Sequence, residues 1–485
     1  MSNCIVDPST RSFERFQFTF PEQIESEHFI VHFTTSNADS QFVNEQWLNL
    51  QCNFGYAQSV IELAEYALAI FMEADWEMMP PDCDEGITDE ESPNHCNNFG
   101  GNALYDIYLA NDAVGLVAPE NPYPVEPYIG GFTSFMQVTP LGNEHTFVPD
   151  WSVHVIAHEL HHAIQIRYGT SVSGEPGNYT YNGWLYEQTS TYMENVIFPA
   201  SYHFLVMMGN CNITSPLTYP EISIDSSVDI YQYRSALWQK FLVEAYGDST
   251  INRLIWEGFG LETATGNPVN MFPIYESALQ TVTDGVTTLG DAYQDYALWR
   301  YFTGSRSRPG EFFMQAASYC TANLLAIEET STTFPSEKGG ARLVKLLPYE
   351  TNLVLASSAY DNLLVQHISF SEEDEILMSS IEVNGEESFF QLYNPAGDNH
   401  ALLITSEYTA EPGEEIEFTL ANTVPFIEGD ITGDSMVNVQ DIIVQINIIL
   451  HQIDPTEYQW LAADLDENNV VDVLDVILLV NLILG

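Results

Sequence analysis

The sequence predicts a multidomain α+β protein in three successive parts, and three observations predict it. Residues 1–335 mix short strand-like runs with long helical periodicities. Residues 336–424 lose the helical period and alternate at strand spacing. Residues 425–485 hold two acidic loops, each leading into an apolar helix. A chain of 485 residues has length for two to four domains and ample core.

Taken in order, residues 17–33 read as short strands, with Phe29–Phe33 opening a sheet. Ala57–Trp76 has helical periodicity: Val60, Leu63, Ala64, Ala67 and Phe71 share one side, and Glu62 and Glu65 fall where solvent is expected. Residues 77–102 form an insertion rich in Pro, Asp, Cys and Asn. Tyr105–Leu109 and Gly130–Val138 are strands, the second just upstream of the stretch that organises the chain.

That stretch is Asp150–Gln165, which contains His158-Glu159-Leu160-His161-His162, an H-E-x-x-H pattern. At about 100° per residue from His158, His162 falls near 40°, His154 near −40° and Gln165 near −20°. Val153, Ile156, Ala157, Leu160, Ala163 and Ile164 fall between roughly 140° and 260°. A half-buried helix with a His-bearing face follows, with Asp150 as its expected N-cap. Residues four apart on one face can offer two imidazoles to one metal ion, and Glu159 borders that face, where a general base reaches a water. A second helical pattern contains Glu187, 25 residues beyond His162, far enough for a loop and an antiparallel helix to return its carboxylate to the metal. Glu194 shares that face but sits about 10 Å further along the axis, so Glu187 is the expected third ligand.

These residues resemble the zincins with a glutamate third ligand. The resemblance is nearest to a group of secreted bacterial metallopeptidases whose core reads A-H-E-x-x-H-A-I-Q and then W-x-x-E-x-x-[AST]-x-x-x-E, matched here by Ala157–Gln165 and Trp184–Glu194. It extends loosely over residues 25–310. It implies a zincin-like metallopeptidase domain with one zinc ion held by His158, His162 and Glu187, and Glu159 as general base. It also suggests that the strand Gly130–Val138 lines the cleft as an edge strand and holds a substrate backbone by strand addition. Thermolysin-like members carry an acidic residue four positions after the ligand glutamate, where this chain has Thr191, which leaves open what orients a ligand histidine.

Asp229–Glu244 reads as one further helix. Tyr231 and Tyr233 at its start are candidates for a phenol that donates to a tetrahedral oxyanion, with aromatic packing as the alternative for each. His154 and His161 flank the ligands without matching the motif, and His28, His32, His145 and His203 carry no motif. Of six cysteines, Cys83 and Cys96 bracket an acidic insertion and are the expected disulfide; Cys4, Cys52, Cys211 and Cys320 leave several pairings open.

The formal net charge of −57, from 69 acidic and 12 basic residues, excludes nucleic acid and anionic lipid as natural partners and suits a secreted protein in a salty or calcium-rich medium. No Lys or Arg follows Lys345. Met1-Ser-Asn-Cys4 opens without an apolar run, so an exported chain would have lost its leader. Val473–Leu484, interrupted by Asp475 and Asn481, is too short to span a bilayer, and no membrane insertion is expected.

Residues 341–424 give alternating runs such as Leu363–Ser369 and Ala401–Thr405, read as a β-sandwich accessory domain over 336–424. In the last part, Asp430–Asp441 and Asp464–Asp475 repeat one pattern 34 residues apart. Side chains of Asp430, Thr432, Asp434, Asn438 and Asp441, with the carbonyl of Met436, are the expected ligands of one calcium ion. Asp464, Asp466, Asn468, Asp472 and Asp475, with the carbonyl of Val470, would hold a second. The apolar helices Ile442–Leu450 and Val476–Leu484 follow. The pair resembles a type I dockerin with two EF-hand-like calcium loops, which implies binding to a cohesin module on a scaffold or cell surface. Ser435 and Asn469 replace the usual glycine of the sixth loop position. Val439-Gln440 and Val473-Leu474 stand where familiar dockerins carry a Ser/Thr pair.

The combined expectation is a secreted zinc metallopeptidase that hydrolyses peptide bonds through a zinc-bound water and is tethered through a calcium-dependent dockerin. The alternative is a non-catalytic binding or adhesion protein with a degenerate zinc site. A metal-dependent hydrolase of a non-peptide substrate is a third reading of the same residues.

Overall fold

The computed structural model describes residues 15–43, 46–83, 95–96, 101–110, 115–169, 182–199, 202–263, 269–326, 332–336, 339–345, 351–357, 363–370, 375–381, 388–392, 399–406, 416–422, 427–433, 436–453, 455, 457–466, 468 and 470–484. Strands β1 (Glu22–Glu25), β2 (Phe29–Phe33), β5 (Tyr105–Leu109), β6 (Gly115–Pro122) and β7 (Phe132–Val138) form a sheet ordered β1-β2-β5-β7-β6, while β3 (Ser40–Val43) and β4 (Gln46–Asn49) form a separate hairpin. β2, β5 and β7 run parallel; β1 and β6 are antiparallel to their neighbours. Helix α1 (Phe54–Glu73) packs on β2, and α2 (Val153–Tyr168) packs on β6 and β7. The inner strands are buried on both faces: Phe29, Val31, Phe33, Tyr105, Ile107, Leu109, Met136 and Val138 join the core with α1 and α2, while Tyr108, Ala118 and Phe135 pack in a second cluster with Leu50 and Ala110.

The expectation for Gly130–Val138 is corrected here. β7 lies between β5 and β6, and among the described residues the edge strand on this side is β6. Its sequence, Gly-Leu-Val-Ala-Pro-Glu-Asn-Pro, hides a strand because prolines cannot donate to a ladder, but an edge tolerates them.

Beyond α2 the chain is helical: α3 (Gly183–Ile197), α4 (Tyr202–Gly209), α5 (Tyr231–Arg234), α6 (Ala236–Tyr246), α7 (Ile251–Thr263), α8 (Met271–Val282) and α9 (Leu289–Tyr301). The single helix expected over Asp229–Glu244 is broken. Asp229 and Ile230 take left-handed φ of 47° and 56°, and the Arg234 guanidinium grips the carbonyls of Asp229 (2.9 Å) and Thr214 (2.8 Å). The N-cap of α2 is Ser152 rather than Asp150, and no side chain caps it. Glu65 is not free in solvent: it accepts hydrogen bonds from the backbone and ring of His28, at 2.9 and 2.8 Å.

Among the described residues nine further strands follow: β8 (Leu325–Ala326), β9 (Thr332–Ser336), β10 (Arg342–Lys345), β11 (Thr351–Ser357), β12 (Leu363–Phe370), β13 (Leu377–Ile381), β14 (Ser388–Leu392), β15 (Asn399–Ser406) and β16 (Ile416–Asn422). They build two sheets, β13-β12-β15-β10-β8 and β14-β11-β16-β9. The first sheet shares a hydrophobic cluster with the helices: α9 packs on β15, and Phe370 meets the rings of Tyr301 and Phe302 at 5.8 and 5.0 Å. Cys83 pairs with Cys96 as expected, and Cys211 pairs with Cys320; Cys52 is buried and reduced, and Cys4 lies outside the described residues. Disulfides fit an oxidising compartment. Among the described residues no helix is long and apolar enough to cross a membrane.

The C-terminal part has its own small core, Ile431, Ile448, Ala462, Ala463, Val471 and Leu479. Its helices are α10 (Val439–Ile449), α11 (Glu457–Ala463) and α12 (Val473–Leu484), with α10 against α12.

Candidate metal centres

α2 is not half-buried. From Val155 to Ile166 every residue is buried, because α3 covers the face that carries the histidines. The two helices run antiparallel: Gln165 reaches the carbonyl of Tyr186 and the hydroxyl of Thr189, whereas His158, two turns earlier, reaches Glu194. Glu187 falls between these contacts, and the structure brings the three expected ligands together. His158 Nε2 lies 3.1 Å and His162 Nε2 3.5 Å from Glu187 Oε2, and ligand atoms of the three residues lie within 4.8 Å of one another.

Hydrogen bonding on the far side of each ring decides what faces the centre. His162 Nδ1 is 2.7 Å from Gln165 Oε1, an acceptor because the same amide's nitrogen donates to Tyr186 and Thr189. The proton of His162 therefore sits on Nδ1, and a lone pair on Nε2 faces the Glu187 carboxylate. His158 Nδ1 donates to Glu194 Oε1 at 2.7 Å, which again turns a lone pair toward Glu187. Burial lowers the pKa of His162 despite the opposing charge of Glu187. Burial pushes the Glu187 carboxyl up, but His162 and His158 outweigh it and hold it at about 2. With both rings neutral, three lone pairs converge, and His162 Nε2 makes no hydrogen bond among the described residues beyond its 3.5 Å approach to Glu187 Oε2. Two imidazoles and one carboxylate are a donor set suited to zinc, and three protein ligands are the number found in catalytic rather than structural centres. The residues fit the ion.

Glu159 is buried on the β6 side of α2. A Cβ placed on Gly115, in the edge strand, would come within 2.5 Å of the Glu159 carboxylate, so this glycine makes the room that Glu159 occupies. The two tyrosines separate: the Tyr231 hydroxyl donates to the Ile222 carbonyl at 3.3 Å, a packing role, while the Tyr233 ring lies nearly parallel to His158 with centroids 5.9 Å apart. His161 is no ligand. It is stacked on Phe71, edge-on to Trp76 and bonded to Ser190, and burial holds its pKa well down.

Sequence reasoning missed two residues here. Glu194 takes the place that Thr191 left open: it orients His158 through one oxygen and meets His203 Nδ1 at 2.6 Å through the other. The seven-residue spacing from Glu187 kept it on the right face; only the antiparallel packing shows that two further turns of α3 reach the other edge of the His158 ring. His203, on the first turn of α4, carries no sequence signal at all.

The C-terminal loops are built locally. The Asp441 carboxylate accepts from the backbone and hydroxyl of Thr432 (both 2.8 Å) and from the Asn438 backbone (2.8 Å), and Asn438 caps α10. Asp430 Oδ1 accepts from Gly433 N at 2.8 Å. In the second loop Asp475 accepts from Leu465, Asp466 and Asp472 backbone groups, Asn468 turns back onto Asp464 and Asp466, and Val470 N donates to Asn468. Carboxylate oxygens of Asp464, Asp466 and Asp475 lie within 4.8 Å of one another. Asp434, Ser435 and Asn469 lie outside the described residues. Val439, Ile443, Val473, Leu474 and Ile477 leave an exposed apolar face along α10 and α12.

Comparison with known proteins divides the chain. Residues 146–275, which contain α2 and α3, match the model of a family of unknown function (DUF6055). Residues 428–484 match the type I dockerin domain, which binds calcium and assembles with cohesin. No curated protein matches the chain.

Proposed function

We propose that this chain is an extracellular zinc-dependent peptidase brought to a cohesin-bearing scaffold by its dockerin. The observation that carries the proposal is the convergence of ligand atoms of His158, His162 and Glu187 within 4.8 Å of one another, one residue along α2 from the buried Glu159 carboxylate. A zinc ion held there would supply Lewis acidity to a carbonyl oxygen and acidify a coordinated water. Glu159 takes the proton of the attacking water and returns it to the leaving amine, a general acid–base role worth about 10²–10⁴-fold in rate. Tyr233, beside His158, is the candidate donor to the oxyanion. β6 pairs with no strand on its outer edge among the described residues, and strand addition there would hold an extended peptide, which favours a peptide over other hydrolysable substrates.

The test is cleavage of casein and of a peptide library, with and without 1,10-phenanthroline, beside Glu159→Gln. Cleavage that the chelator stops, zinc restores and the variant lacks while retaining its zinc supports the peptidase. No cleavage under any condition favours a binding protein whose task is dockerin-mediated assembly.

A further inference from the structure

α2 presents three imidazoles one turn apart, His154, His158 and His162, and α3 answers with two carboxylates two turns apart, Glu187 and Glu194. The site described above uses one end of this ladder. At the other end, one turn nearer the N-terminus of α2, His154 meets Glu194 and His203, which α4 brings in. One ligand atom from each lies within 4.8 Å of the other two, as holds for the first cluster. His203 Nδ1 is 2.6 Å from Glu194 Oε2, and the His154 and His203 rings stack with centroids 4.1 Å apart and planes 16° from parallel. His154 Nδ1 is buried and has no hydrogen-bond partner among the described residues. The His203 side chain is 28% exposed, which gives an ion a way in from solvent.

We infer that His154, Glu194 and His203 form a second divalent-cation site, selective for imidazole-seeking ions of the zinc, nickel and copper class. Two imidazoles and a single carboxylate oxygen suit such ions and are poor ligands for calcium, which needs six to eight oxygens. A proton between Glu194 and His203 satisfies two of the three groups and leaves His154 Nδ1 unmatched; a cation engages all three. The site is tied to its neighbour by Glu194, whose Oε1 orients His158 while Oε2 faces the second ion. It does not depend on the catalytic reading, since none of its three side chains is a ligand of the first site.

The experiment is zinc counting on the full chain with its calcium loops saturated, dialysed against buffered free zinc and measured by elemental mass spectrometry. Wild type, His162→Ala, His203→Ala and His154→Ala are compared, with melting curves of the metal-free forms to verify folding. The expected result is two zinc equivalents in wild type and one fewer in each of His203→Ala and His154→Ala. A zinc count that His203→Ala leaves unchanged, whether one or two, overturns the site. If instead His162→Ala changes nothing while His203→Ala removes an equivalent, the first centre fails and this one stands. Crystals soaked in zinc give the second readout: an anomalous peak among the three side chains supports the site, and its absence at saturating zinc overturns it.

Discussion

The proposed α2–α3 centre and the dockerin loops both gather groups able to bind a cation, but by opposite means. Each calcium loop takes its oxygens from twelve consecutive residues and its aspartates bond mainly to backbone amides of the same loop. The proposed α2–α3 centre draws on two helices: Gln165 meets His162 within α2 but is itself held by Tyr186 and Thr189 of α3, and the Glu194 contact to His158 crosses from one helix to the other. Among the described residues the loops sit on a small core of six buried side chains; the helices belong to a cluster that runs from β2 to β15. A small core leans on its metal for stability, whereas a large one presents a formed site to it.

Metal withdrawal should separate the two regions most widely. Treating the full chain with a calcium chelator is expected to abolish cohesin binding and remove the lower-temperature transition in calorimetry. Removal of zinc should leave the main transition in place, within a few degrees; a collapse of both transitions by either treatment would erase the distinction. Next in size, Glu194→Gln should weaken zinc binding at the first centre about 10–100-fold, because a poorer acceptor no longer fixes the His158 ring; competition against a coloured chelator measures it. Gly115→Ala should leave zinc content intact while lowering kcat about 10²-fold by displacing Glu159, and an unchanged kcat would remove the edge strand from the catalytic arrangement.

The smallest effect concerns the sheet beneath α2. Arg15 there faces three carboxylates, Asp82, Asp106 and Glu120. Burial, and then the charge of Asp106, push the Asp82 carboxyl up to about 9 against the pull of Arg15. The folded state therefore holds a proton that the unfolded chain, with aspartate near ~3.9, releases. That stabilisation is complete below about pH 4 and fades as pH climbs toward 9. Melting temperatures should fall over this range more steeply in wild type than in Asp82→Asn, and parallel slopes would contradict the shift.

Much of the site could be read from spacing. The four-residue interval of His158 and His162 fixes their shared face on any helix, and the repeat from Asp430 to Asp475 announces its loops because ligand and sequence position coincide there. Legibility ended where the partner lies far away in the chain. β6 was hidden by its prolines, the break at Asp229 and Ile230 by an ordinary helical period, and His203 by the lack of any motif. Depth was misjudged too, since amphipathicity shows that one face of α2 is polar but not that a second helix covers it.

The amino-acid order alone determined which residues could chelate, since side-chain chemistry and local helical or loop geometry are set within a few residues of each position. Tertiary packing decided which carboxylate meets which imidazole nitrogen, which strand forms the edge and which rings are buried beside the centre. Those choices follow from the antiparallel docking of α3 on α2 and of α2 on the sheet, an outcome of burying whole apolar faces that no short stretch of chain contains.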